Sequence, residues 1–209
     1  MFTDLIGKRL SHDKMEILYS EPFTEASFSR DFTVCGGEWS VADGWLTGKN
    51  PDNAPGMIIS RAEYNCDVLL EFRARTILPS THDIDVMWSG SWDYSTNTRG
   101  TAYVMGIEGW WDGKLGIEKA PDYSLSAATK LFPFVPGRIY TVQCGSVAGH
   151  IFVIIDGVLS LEVVDPSPID TSKYGLVGFE AYSSSIRFTD FKVKRAVYEE
   201  MVKKYTPEF

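Results

Sequence analysis

Residues 150–165 read HIFVIIDGVLSLEVVD. Two apolar runs flank Asp156-Gly157, a dipeptide suited to the positive φ angles of a two-residue type I′ turn. The stretch therefore predicts a β-hairpin over 151–164. Similar runs fill the chain: MIIS (57–60), VLLEFRART (68–76), DIDVMWSG (83–90), TAYVMGI (101–107), LGIEK (115–119), IYTVQC (139–144), GLVGFEAY (175–182) and SIRFTDFKVKRA (185–196). All carry β-branched or aromatic residues, and Gly, Pro, Asn, Asp or Ser separate many of them. Many short strands with turns between them predict an all-β sandwich or barrel.

Two segments depart from this pattern. VYEEMVKKY (197–205) places Val197, Met201 and Tyr205 at i, i+4 and i+8, and sets Glu199 against Lys203 and Glu200 against Lys204. That periodicity predicts a short C-terminal helix over 197–205, ended before Pro207. Residues 3–10 read as one helical turn capped by Thr3. No internal repeat or linker divides the 209 residues, so one domain is expected, with its sandwich over about 17–195.

Hydrophobic residues make up 44% and charged residues 23%, a soluble globular balance. The net charge of −8 argues against nucleic acid and against anionic membranes as partners. Cys35, Cys66 and Cys144 form an odd set without CxxC spacing, which signals neither a disulfide framework nor zinc. With no signal-like N-terminal run, these cysteines lead to the expectation of a cytoplasmic protein. Nucleophile-elbow, phosphate-loop and dinucleotide motifs are absent, and no cofactor or metal is expected.

Several stretches resemble known sugar-handling sandwiches. SFSRDFTVCGGEWSVADGWLTGK (27–49) is similar to the opening of the 3-keto-disaccharide-hydrolase-like domains, with W-x-V-x-D-G-x-L at its centre. MIISRAEYNCDVLLEFRAR (57–75) resembles their next element. HIFVIIDGVLSLEVVD and YGLVGFEAYSSSIRFTDFKVK (174–194) resemble the closing strands of the concanavalin A-like superfamily. AYVMGIEGWWDGKLGIEKAP (102–121) resembles an uncharacterised bacterial family with a galectin-like fold. The resemblance implies a two-sheet antiparallel jelly roll, one sheet concave, in a superfamily whose members hydrolyse, eliminate or bind sugars. Fold alone does not choose among these.

Candidate site residues cluster in two places. If Asp112-Gly113 is a hairpin turn, then Tyr103, Met105, Ile107, Trp111, Lys114 and Glu118 share one face, and Ala102, Val104, Trp110, Leu115 and Ile117 the other. The first face mixes aromatic and charged groups, as a sugar requires: Trp111 and Tyr103 for stacking on C–H groups, Lys114 and Glu118 for hydroxyls. In HDIDVMWSG, Asp83 and Asp85 stand at i and i+2. Two carboxylates that close raise one another's pKa. The concanavalin A-like glucanases carry E-x-D-x-E on such a strand; here Met87 takes the third position, which counts against their double displacement. Trp92 and Tyr94 in SWDYSTNT (91–98) form a rim or an ordinary loop, and His82 is the one histidine placed as a base. Three functions follow. An enzyme acting on oligosaccharides would hydrolyse through Asp83, Asp85 and Glu118, or eliminate through Tyr103, His82 or Lys114 with Lys114 holding a uronate. A lectin-like module would bind without turnover. A sandwich without a sugar site would use its exposed tryptophans for a protein partner.

Overall fold

The computed structural model describes residues 1–52, 55–109, 113–130 and 132–201. The hairpin that predicted the fold is present. His150–Ile155 pairs antiparallel with Val158–Val164, and Ile155 faces Val158 across the turn. Asp156 and Gly157 have φ of 50° and 81°, the left-handed conformations the dipeptide favours. Asp43 and Gly44, at 52° and 76°, turn Glu38–Ala42 into Trp45–Asn50 in the same way.

Two antiparallel sheets form the body. The first is seven-stranded, in the order Ser126–Thr129, Leu115–Ala120, Ala102–Ile107, Ile84–Gly90, Leu176–Ala181, Gly56–Ser60, Phe32–Val34. The second is eight-stranded: Val158–Val164, His150–Ile155, Tyr140–Val147, Val68–Thr76, Ser184–Arg195, Trp45–Asn50 and Glu38–Ala42, with Ile17–Tyr19 joining Ser184–Arg195. Alternate residues of each point between the sheets, where aromatic rings interlock. Phe179 of the first sheet lies 4.3 Å from Phe188 and 6.0 Å from Phe72 of the second, centroid to centroid. Ile84, Val86 and Trp88 join this core, and the Trp88 indole donates to Ser146 Oγ across the sheets at 3.2 Å. Burying side chains of this size contributes about 1.5–3 kcal/mol each.

The outer face of the seven-stranded sheet is also apolar in part. Met57, Ile59, Met87, Ala102, Val104 and Leu176 form a second buried cluster there. Ile84–Gly90 is consequently buried along its whole length. That makes any charge on its outer face expensive.

Both helical expectations at the ends are overturned. Phe2–Leu5 and Lys8–Ser11 form a hairpin through Gly7, and Tyr198–Glu200 adds a third strand. This strand wins over helix because Lys8, buried beneath it, pairs with Glu200 and lies 4.6 Å over the Tyr198 ring. Residues 202–205 of the expected helix lie outside the described residues. A helix does form at Glu25–Asp31, capped by Thr24, whose side chain accepts from the Ser27 N–H. Its S/T-x-x-S box lacks the usual Glu or Gln, so the sequence carried only a weak start signal.

Two glycines should separate turn strain from packing. Gly157 has open space around it, so Gly157→Ala meets only the penalty of positive φ, about 1–2 kcal/mol. A Cβ on Gly145 would stand 2.0 Å from the Val68 carbonyl oxygen, so Gly145→Ala should cost about 4 kcal/mol or more, or prevent folding. Urea unfolding of both variants checks the contrast; equal losses would contradict this packing.

Candidate functional site

The hairpin at 102–120 decides which side chains reach the outer face. Val104 pairs with Glu118, Met105 with Ile117 and Ile107 with Leu115. Glu108 N–H then bonds the Lys114 carbonyl, so the connection is longer than a two-residue Asp112-Gly113 turn. This pairing corrects the expected faces. Tyr103, Met105, Ile107, Leu115 and Ile117 all enter the core, while Ala102, Val104 and Glu118 face outward. The cause is apolar matching: only this register puts all five large side chains between the sheets. Tyr103 is therefore not beside Glu118. It is 1% exposed; its hydroxyl donates to Asp165 at 2.8 Å and accepts from the Ile169 N–H at 2.9 Å. Burial first, then Asp165, raises its pKa. Trp110, Trp111 and Asp112 lie outside the described residues.

Outward-facing Asp85 pairs with Glu180 on one side and Gly106 on the other, and Gly106 pairs with Gly116. With no side chains at Gly106 and Gly116, nothing from those positions caps the carboxyl. Asp83 precedes the strand with φ of 74°, and its carboxylate accepts from the Tyr182 N–H at 2.6 Å and the Ser184 hydroxyl at 3.5 Å. Asp83 and Asp85 share a hydrogen bond. Together with Glu118, Glu180 and Arg99 they line a cavity of about 590 Å³, closed by Pro55, Gly109, Tyr123, Tyr182, Ser183 and His82.

The electrostatics follow from burial. Asp83, Asp85, Glu118 and Glu180 are each 3–7% exposed. Arg99 is held over them by the short ribbon of Trp92–Asp93 and Thr98–Arg99. Its guanidinium bonds Glu180 at 2.5 Å and stands 4.0 Å from Glu118. Burial pushes the Arg99 pKa down, but Glu180, Asp85 and Glu118 together raise it. One guanidinium does not neutralise four carboxylates, so protons stay. Burial raises the pKa of Asp83. Burial, then the charges of Asp83 and Glu180, raise Asp85 further than Arg99 lowers it. Burial lifts Glu118 to about 7 despite Arg99. A carboxyl that titrates near neutrality can both give and take a proton there.

Cavities on either side extend the site. One of about 380 Å³ shares Pro55, Arg99 and Tyr123 with it and adds Trp92 and Met57. Another of about 460 Å³ shares His82 and Ser183 and adds Lys49 and Leu78. The three adjoin one another through these shared residues, and together they are the groove. Asp83, Asp85, Glu118 and His82 thus meet in one place, with Trp92 next door. Lys114 and Tyr94 do not line the groove; Tyr94 is 68% exposed in the ribbon's turn. Arg99, Glu180 and Tyr123 escaped the sequence reading. Glu180 left one signal, a lone acid in the otherwise apolar strand LVGFEA. Among the described residues, no group of three or more His, Cys, Asp or Glu side chains has a metal-holding arrangement. A cavity of about 530 Å³ on the other sheet contains Glu71, Arg73, Asp190 and Lys192. There the charges are matched: Glu71 bonds Lys192 and Lys194, and Arg73 meets Asp190.

Known structures match the chain over most of its length. A protein of unknown function with a galectin-like fold from Bacillus subtilis superposes with TM-score 0.66 at 16% identity, covering 88% of this chain and 99% of that one. The fold is a two-sheet antiparallel sandwich of galectin-like architecture. The carbohydrate binding module CBM66 from Bacillus subtilis gives 0.61 at 13% identity, over 78% of this chain and 94% of that one. A Bacillus licheniformis beta-glucanase gives 0.59 at 12%, over 84% and 96%. No protein-family model and no curated protein matches the chain. At these identities the likeness carries the architecture and leaves the chemistry to the cavity.

The carboxyl cluster makes stability fall as pH rises. Folding raises the pKa of Glu118, Asp83 and Asp85, so the folded state binds protons more tightly than the unfolded one. Their contribution is complete below the unfolded value of about 4 and is lost through the folded one. For Glu118 that window runs from about 4 to about 7. Glu118→Gln should flatten the profile and gain up to roughly 2–3 kcal/mol over the parent at pH 8. Urea melts at pH 5 and pH 8 measure this; parallel profiles for the two proteins would place Glu118 in water.

Proposed function

We propose that the groove binds oligosaccharides and hydrolyses a glycosidic bond over the carboxyl cluster. The observation that carries this is the cavity itself: four buried carboxyl groups, three with raised pKa, face one space beside a single guanidinium. Glycoside hydrolysis needs a carboxylic acid still protonated near neutral pH and a second carboxylate across the bond. Glu118 is the proton donor to the leaving oxygen. Asp85 keeps the proton of the Asp83–Asp85 pair, and Asp83, whose carboxylate the Tyr182 N–H stabilises, takes the proton of the attacking water. Glu180 and Arg99 hold their own charges together and set the field in which Glu118 titrates. Trp92 and Tyr123 line the adjoining space, where aromatic faces suit the C–H face of a pyranose. The groove's three joined cavities leave room for several sugar units.

One observation favours a second reading. Met87, where the glucanase pattern has its third acid, is 1% exposed and packs in the outer apolar cluster. Without that acid the same groove would serve a module that binds sugar and releases it unchanged.

Incubation with mixed oligosaccharides, followed by mass spectrometry of the products and calorimetry of binding, separates the readings. Hydrolysis predicts new reducing ends, lost by at least about 100-fold in Glu118→Gln while affinity persists. Binding alone predicts intact sugars and an indifferent Glu118→Gln. In both cases Trp92→Ala should weaken binding by about 1–2 kcal/mol. If no sugar binds at all, the groove serves another ligand.

A further inference from the structure

The outer face of the eight-stranded sheet carries cations in two conditions. Lys192 and Lys194 both bond Glu71, and Arg73 meets Asp190. Lys49 has Glu38 opposite it on the edge strand. Arg75 and Arg187 differ. They stand directly opposite one another on Val68–Thr76 and Ser184–Arg195, and among the described residues neither has a carboxylate partner. Like charges in that position repel and weaken a sheet. In a chain with 28 Asp and Glu against 20 Lys and Arg, acids are abundant, and this pair stands without one.

Both side chains are nevertheless oriented, and toward the same place. Arg75 reaches over Ser184–Arg195 and lays its guanidinium carbon 5.5 Å from the centre of the Trp45 ring. Arg187 Nε donates to Thr47 Oγ1 at 3.1 Å. Trp45 and Thr47 lie two residues apart on one strand and so share its outer face. The ring engages the Arg75 guanidinium through its π-face and takes none of its hydrogens, and Thr47 takes one from Arg187. The terminal amino groups of both arginines are left to donate. Two pre-oriented forks with an excess of two positive charges suit a group that accepts from both and carries negative charge. A neutral hydroxyl would leave the repulsion in place. We propose that Arg75 and Arg187 form a binding site for a tetrahedral dianion, a phosphate or sulfate group held between their terminal amino groups. The site lies on the sheet opposite the carboxyl groove and stands independently of the function read there. The group is either free in solution or carried on a sugar.

Titration of the full chain at pH 7.5, followed by the arginine Nε–H signals in proton–nitrogen magnetic resonance and by calorimetry, tests it. The probes are inorganic phosphate, glucose 6-phosphate, glucose, and chloride at matched ionic strength. Phosphate and glucose 6-phosphate should shift the Arg75 and Arg187 signals saturably, while glucose and chloride leave them in place. Arg75→Gln and Arg187→Gln, each checked for folding by circular dichroism, should weaken phosphate binding by about tenfold or more. Lys192→Gln, whose cation already has Glu71, should change it by less than about twofold. Tighter binding of glucose 6-phosphate than of phosphate assigns a sugar-borne group; equal or weaker binding assigns the free ion. Shifts that spread over the surface without saturating, glucose binding as tightly as glucose 6-phosphate, or phosphate affinity unchanged in a folded glutamine variant would overturn the site.

Discussion

The outer face of this sandwich is organised around one ion pair, Arg99 with Glu180. Four carboxyl groups on or beside adjacent strands of a buried sheet would repel one another and the apolar floor around them. Arg99 makes the arrangement tenable by pairing with Glu180 and softening the field at Glu118. It does not neutralise the rest, and so Asp83, Asp85 and Glu118 titrate above the range of exposed acids. Removing the guanidinium would strand Glu180 in a buried place, a change that usually costs several kcal/mol.

The rest of the fold supplies what that cluster needs. Ile84, Val86 and Trp88 anchor the central strand in the core, so Asp85 on its opposite face cannot swing out to water. The register of Ala102–Ile107 with Leu115–Ala120 sends five large apolar side chains inward and leaves Glu118 outward. The ribbon carrying Trp92 and Arg99 is short, and the cation it delivers reaches across the sheet to Glu180. A scaffold this rigid is what a constellation of charges in an acid–base site requires.

Much of the scaffold was legible in the residues. Alternation located the strands at 57–60, 68–76, 84–90 and 102–107, and Asp156-Gly157 marked its hairpin, because period-two patterning and positive-φ turns are local properties. Asp83 and Asp85 were legible as acids two residues apart, although Asp83 stands just before the strand and not on it. Glu118 was singled out on a faulty register, and Tyr103 on the same fault was placed outside when it lies in the core. The error came from taking Asp112-Gly113 as a tight turn; pairing is decided by the apolar match across strands, which a dipeptide does not reveal. Arg99 and Glu180 join the site through contacts 81 residues apart in the chain, and no local pattern announces such a meeting. The C-terminal segment carries a helical period, yet its first residues become a strand because Lys8 and the Lys8–Ser11 edge offer them partners. Tertiary contact overrode propensity there.

The central claim is that the outer-face carboxyl groups form a protonated cluster that meets sugar. Carbon-detected nuclear magnetic resonance of the side-chain carboxyls, titrated from pH 3 to pH 9 with and without oligosaccharide, tests it directly. The account predicts that the Asp83, Asp85 and Glu118 resonances titrate well above the usual carboxylate range of about 4, and that a bound oligosaccharide shifts them while leaving Glu71 on the opposite sheet unmoved. Ordinary titration of all three near pH 4, or shifts confined to other parts of the surface, would contradict it.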